Sequence, residues 1–117
     1  MFTVDTSEID ELIADLGDVG RQVEQPTKDS VRHTAEDTQR DGRTFAPKLT
    51  GYLADSITVD ISPDGMSSEV GPEASYGDYV ERGTSVMAPQ PYMGPAHDKN
   101  EPAFFAESER IADQVLG

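Results

Sequence analysis

Ile9, Leu12, Ile13, Leu16, Val19 and Val23 recur at steps of three and four residues. That spacing is one face of an amphipathic helix. Asp5, Thr6 and Ser7 can each cap its start, with Glu8 three residues after Asp5. Gly17 and Gly20 weaken its end, and Pro26 is expected to break or kink it. Thr27 can then cap a second helix, because Lys28 to Arg43 holds no proline and only a late Gly42. Val31, Ala35 and Thr38 give that helix a thin apolar face, better suited to a partner or a sheet edge than to a deep core.

Phe45-Ala46-Pro47 closes the helical part. From Ser56 to Ser62 the pattern changes to strict alternation: Ile57, Val59 and Ile61 against Thr58 and Asp60. This predicts a half-buried strand. Pro63-Asp64-Gly65 is a turn with a mechanism, since proline presets φ and glycine accepts a positive one. Met66, Ser68 and Val70 form the inward side of the returning strand, which Gly71-Pro72 ends. Tyr76, Tyr79 and Val80 fit one or two helical turns. Gly83 to Pro95 reads as a loop with room for a short strand near Ser85–Met87. Pro95-Ala96 or Glu101-Pro102 opens a last helix carrying Phe104, Phe105, Ile111, Ala112, Val115 and Leu116.

This order predicts an α+β fold, with helices packed on one face of a small antiparallel β-sheet, a long Pro/Gly-rich loop and a C-terminal helix. The chain reads as one domain, residues 1–117, divided into a helical arm (1–44), a hairpin with an interface loop (45–96) and the C-terminal helix (97–117). A two-stranded hairpin is marginal by itself. Either the loop adds a third strand, or a neighbouring subunit completes the sheet.

Composition narrows the function. The chain has 117 residues, with 9 Lys+Arg against 23 Asp+Glu and a net charge of −14. The 13 Asp and 10 Glu are interspersed with apolar positions along the whole chain, whereas disordered acidic tails run like charges together. So many charges on one small domain repel one another at ordinary ionic strength. At about 1 M salt the Debye length falls to about 3 Å and the repulsion is screened. The acidity therefore points to a saline interior such as that of halophilic archaea, with a nucleic-acid mimic as the rival reading. Residues 1–20 carry six acids and no base, residues 21–48 carry six bases and five acids, and residues 49–117 carry three bases and twelve acids. The middle segment reads first as a solvated helix with internal ion pairs.

The pI near 4.2 excludes a general nucleic-acid binder. With no cysteine there is no disulfide, thiolate metal site or cysteine nucleophile. His33 and His97 are the two histidines and lie far apart, against a histidine-rich zinc site. No apolar run approaches a membrane span, and no leader is recognisable, so a soluble protein, intracellular where it is made, is expected. Asp10/Glu11 and Glu36/Asp37 are paired carboxylates without an apolar pocket to shift them. Asp60 to Gly65 resembles the end of a calcium loop, but the hairpin explains it better. No G-x-S-x-G elbow or phosphate loop occurs. Catalytic, cofactor-binding and metal-binding residues are accordingly expected to be none, and no enzyme is predicted.

The strongest signal is the segment 76–96. Tyr76, Tyr79, Tyr92, Met87 and Met93 sit with Pro89, Pro91 and Pro95. Aromatics and methionines on a proline-stiffened loop fit an interface. They equally fit a loop that folds back to supply core.

Three stretches then carry a resemblance. Thr50-Gly51-Tyr52-Leu53-Ala54-Asp55-Ser56-Ile57 fits T-G-x-L-x-x-S-I. Tyr76-Gly77-Asp78-Tyr79-Val80-Glu81-Arg82-Gly83-Thr84 fits Y-x-x-Y-V-E-x-G-T. Pro91-Tyr92-Met93-Gly94-Pro95-Ala96 fits P-aromatic-hydrophobic-x-P-A. In this order they resemble the tailed-virus neck, head–tail joining or tail-completion family that includes minor tail protein Z of lambdoid phages. The chain departs from the family's pattern near Gly94, where a basic residue is common, and near Arg82, where an aromatic is. The resemblance implies a structural virion protein of the neck, made in the host cytoplasm, with no cofactor and no reaction. It implies a homo-oligomeric ring of six-fold symmetry that encloses DNA without reading sequence. Its partners would be the head connector or head-closure proteins and the tail terminator or tail-tube proteins, with no membrane. Tyr76, Tyr79, Glu81, Arg82, Gly83, Thr84, Met87, Pro91, Tyr92 and Met93 are the expected subunit or partner interface. Glu81 is expected to fix the loop by a hydrogen bond within it or to a neighbour. Thr50, Gly51, Leu53, Ser56, Ile57, Pro63, Gly65 and Pro95 are the expected structural positions.

Overall fold

The computed structural model describes residues 2–5, 18–47 and 51–116. In order these form β1 (Phe2–Asp5), α1 (Asp18–Phe45), α2 (Tyr52–Asp55), β2 (Ile57–Ile61), β3 (Ser67–Pro72), α3 (Gly77–Arg82) and α4 (Met93–Leu116). This is the expected small α+β fold. The expected first helix falls mostly on residues 6–17, outside the described residues, as does Thr50.

Three strands pair antiparallel in the order β1-β3-β2. Phe2 stands opposite Val70 and Asp5 opposite Ser67. The hairpin's third strand therefore comes from the start of the chain, in a segment expected to belong to a helical arm. Ser85–Met87 forms no strand. On the other side of β3, Ile57, Val59 and Ile61 face Pro72, Val70 and Ser68. Period-two alternation puts all six on one face, and Met66, Ser68 and Val70 are buried as their spacing predicts. Gly65 takes φ 74° at the turn. Its N–H donates to the Ser62 carbonyl at 2.9 Å. Asp64 Oδ1 accepts from the Ser62 hydroxyl at 2.5 Å and from the Met66 N–H at 3.0 Å. These bonds hold the Asp64 carboxyl below its usual pKa, the Ser62 hydroxyl contributing most.

α1 corrects the expected break, because it runs straight through Pro26. The proline removes one helical N–H. The buried stripe nevertheless stays in phase across it: Val23, Thr27, Ser30, Val31, Thr34, Ala35 and Thr38. Tertiary packing along that stripe overrides the local cost. The stripe is made of small residues, which lets α4 approach closely. Buried Thr38 returns its hydroxyl to the Thr34 carbonyl at 2.8 Å, so burying it strands no donor.

α4 lies antiparallel along α1. Phe104 packs on Val31, and Ile111 packs with Val23 and Met66. At the other end a Cβ on Gly42 would lie 2.7 Å from Met93 Sδ. α4 starts at Met93, ahead of both expected starts, and passes through Pro102. Pro95 falls in the first turn, where no helical N–H is needed. Buried Asp41 on α1 ties the helices together, accepting from Asn100 Nδ2 at 2.8 Å and Lys99 Nζ at 3.2 Å. Burial raises the Asp41 pKa, but the bonds from Asn100 and Lys99 and the charges of Lys99 and Arg40 outweigh it, so the carboxyl sits below its usual value.

The main core joins Ala35 of α1, Ala46 just past its end, Leu53, Ala54, Ile57, Val70 and Ala74 of the sheet region, and Tyr92 and Met93. Gln39 and Arg43 of α1 donate to the Ile57 carbonyl at 2.8 and 3.2 Å, covering the beginning of β2.

Candidate functional site

The segment singled out by the sequence becomes a loop held at its base. α3 ends at Gly83, whose φ of 78° and N–H bond to the Tyr79 carbonyl close the helix. Glu81 projects from α3 to the start of α4. Its Oε1 accepts from the N–H groups of Tyr92 (3.2 Å) and Met93 (2.8 Å), and its Oε2 from that of Gly94 (3.3 Å). These are first-turn donors with no partner inside the helix, and an anion there also suits the helix dipole. Glu81 thus fixes the loop by hydrogen bonds within the chain.

Two further ties secure the base. The Gln90 N–H donates to the Val80 carbonyl at 2.8 Å. The Tyr92 hydroxyl donates to the Gly77 carbonyl at 3.0 Å. Tyr92 is 0% exposed. Burial, with the charges of Glu81 and Asp78 and the neighbouring Tyr76, pushes its phenol up to about 12. Gly77 is required here, since a Cβ would come within 2.5 Å of Pro72 Cγ and 2.8 Å of the Tyr92 oxygen. At the tip Thr84 and Met87 exchange backbone bonds of 2.8 and 3.4 Å, forming a tight turn over Ser85 and Val86.

The expected interface residues divide into two groups. Tyr92 and Met93 are buried in this chain's own core, where the alternative of a loop folding back describes them. Tyr76, Tyr79, Arg82, Thr84 and Pro91 are exposed, while Glu81, Gly83 and Met87 are half-buried. Among the described residues, four exposed large apolar residues lie outside the expected interface: Phe45, Tyr52, Val86 and Phe105. Tyr52 stacks near Tyr76, ring centroids 6.3 Å apart. Val86, on the turn, is 94% exposed. A β-branched apolar residue in the Pro/Gly-rich loop, directly before Met87, was the available signal for Val86. Among the structural positions, Gly51 takes φ 75° before α2, and the Ser56 hydroxyl donates to the Leu53 carbonyl at 2.7 Å.

Elsewhere, α1 and α4 flank an open groove of about 680 Å³ lined by Pro26, Asp29, Ser30, His33, Thr34, Asp37, Asn100, Ala103 and Glu107. Asp37 there lies 3.2 Å from His33 Nε2 and pairs with Arg40 at 2.9 Å. His97 lies 3.3 Å from Glu101 and 3.8 Å from Asp98 in the first turns of α4. These three could offer ligand atoms to a cation, but Asp98 and Glu101 are exposed. Among the described residues no helix is long and apolar enough to cross a membrane.

The pinned loop and the exposed tyrosines give this small α+β module one fixed, partly aromatic surface. A family model described as that of bacteriophage HK97-gp10, a proposed tail component, matches residues 10–83, well over half of the chain. The chain belongs to this HK97-gp10-like family of tailed-phage tail components. It is a structural tail-type protein whose place is the virion and whose neighbours are other virion proteins. No curated protein and no solved structure gives a significant match.

Proposed function

We propose that the chain is a neck protein, similar to minor tail protein Z, that forms a six-fold ring joining the head connector to the tail tube around the DNA channel. The observation that carries this reading is the ordered run of motifs at 50–57, 76–84 and 91–96. The first two lie almost wholly within the family match, and the last two build the pinned loop. Exposed Tyr52, Tyr76 and Tyr79 supply apolar surface suited to neighbouring subunits. A ring meets its neighbours through a heterologous contact that closes on itself. The net charge of −14, carried by acids dispersed along the chain and not gathered in one tail, supports a haloarchaeal host. α4, with Asp98, Glu101, Glu109 and Asp113 among its residues, is assigned to the channel, where like charge keeps DNA phosphates from sticking. No reaction and no cofactor belong to this role.

Particle mass at high and low salt, with antibody labelling of virions, tests the assignment. A ring at molar salt that dissociates on dilution, with label at the neck, is the expected result. Label on the last tail-tube ring would instead identify a tail terminator. A monomer at low salt that competes with DNA for a basic host protein would identify a nucleic-acid mimic. Arg21, Arg32 and Arg40 lining the channel of an assembled ring would overturn the channel assignment.

A further inference from the structure

We propose that the 83–91 loop is a docking knob, and that its Val86 tip seats on the face formed by Tyr52, Tyr76 and Tyr79 of a second copy of this chain. The proposal rests on the ring reading above and names the contact that would build the ring.

The loop is preorganised. Glu81 and Gln90 fix its two ends, and the Thr84–Met87 turn fixes its tip. The Val86 N–H also donates to the Thr84 hydroxyl at 3.2 Å. A tip held in this way loses little freedom on binding, so its contact area converts more fully into affinity. Yet Val86 is 94% exposed and touches almost nothing of its own chain. The turn thus holds this apolar side chain out in solvent on a fixed backbone.

Charge selects the partner. Residues 83–96 contain no charged side chain, in a chain that is 27% charged and carries a net −14. Even at molar salt, where repulsion beyond about 3 Å is screened, carboxylates pressed into direct contact between two copies must be desolvated without a partner. An uncharged tip approaches another copy without that cost. The receiving residues are aromatic: Tyr52 and Tyr79 are 60% and 62% exposed, and Tyr76 packs beside Tyr52. Tyrosine gives large contact area with few rotatable bonds. Knob and face lie on the same chain without Val86 burying itself there, so the contact joins different patches of two copies. In the ring reading it repeats head to tail and closes where the rotation allows, whereas a dimer that goes no further would overturn that reading.

The test uses the full chain at molar salt, followed by light scattering across a concentration series. Val86→Glu places a charge on the tip in a position that contributes nothing to the fold. It is expected to raise the midpoint of assembly by at least about tenfold, with thermal unfolding of the monomer unchanged and Val86→Ile behaving as wild type. The chain has no cysteine, so Val86→Cys and Tyr79→Cys chains mixed under oxidation are expected to cross-link to each other rather than to themselves. Val86→Glu assembling like wild type overturns the contact and leaves the ring standing. Val86→Cys pairing with itself also overturns it, by showing a two-fold contact. A Val86→Glu ring that forms normally but fails to enter virions gives the knob to a different virion protein. A wild-type chain that stays monomeric at every salt concentration overturns the ring and the contact together.

Discussion

Replacing Glu81 with alanine should loosen the loop and the start of α4 together. The carboxylate receives three N–H groups, from Tyr92, Met93 and Gly94. Removing a helix N-cap costs about 1 kcal/mol. Losing an anion at the helix N-terminus adds about 0.3–1 kcal/mol. Two of the stranded donors belong to Tyr92 and Met93, whose side chains are in the core, and an unsatisfied donor costs about 1–3 kcal/mol. Water reaches this partly buried site and lowers that last figure. The net expectation for Glu81→Ala is a loss of about 2–3 kcal/mol, or a fall in Tm of about 8–12 °C for a domain of this size. Glu81→Gln keeps an acceptor and loses the charge, so it should cost about 1 kcal/mol. Thermal unfolding followed by circular dichroism at molar salt measures both. The gap between Glu81→Gln and wild type should shrink as salt is added, because the charge–dipole attraction is screened and the hydrogen bond is not. Amide exchange at Met93 and Gln90 should quicken in Glu81→Ala while exchange at Val31 does not. A Glu81→Ala chain within about 0.5 kcal/mol of wild type, the range of an ordinary surface substitution, would refute the reasoning.

Two pH dependences follow from buried groups. The Tyr92 phenol is raised to about 12 in the folded chain, against about 10 when unfolded. The unfolded chain therefore gives up this proton first, and stability should fall as pH rises from about 10 to about 12. Tyr92→Phe should remove that alkaline loss while costing about 1 kcal/mol at neutral pH for the bond to Gly77, both read from denaturant midpoints. Asp41 is shifted the other way, below its ordinary value. Its stabilisation is fully present above the unfolded aspartate pKa of about 3.9 and disappears as pH falls through the lower folded value. Asp41→Asn should flatten the acid limb of the stability curve, and a limb unchanged in that variant would show that other carboxylates govern it.

Local features were legible in the sequence because their causes are local. Alternation at Ile57, Val59 and Ile61, the Pro63-Asp64-Gly65 turn and the Tyr76–Tyr79–Val80 spacing each require only neighbouring residues, and each has its expected form. The misread elements have distant causes. Pro26 is a helix breaker by its own chemistry, and only the in-phase stripe packed on α4 carries the helix through it. β1 is four residues long and gains meaning from Val70 and Ser68, more than sixty positions away. Tyr92 illustrates the same point within the candidate site. Nothing in its own stretch separates a buried anchor from an exposed contact. The clearance left by Gly77, fifteen residues earlier, and the cap from Glu81 decide that it turns inward. Turning inward has a consequence for the surface. With Tyr92 and Met93 used to fill the core, the loop between α3 and α4 is left with Val86 as its most exposed large apolar residue, on a base that the buried pair makes rigid. Core and contact surface in this chain are thus two sides of one loop, and a substitution that frees Tyr92 should also blunt the knob.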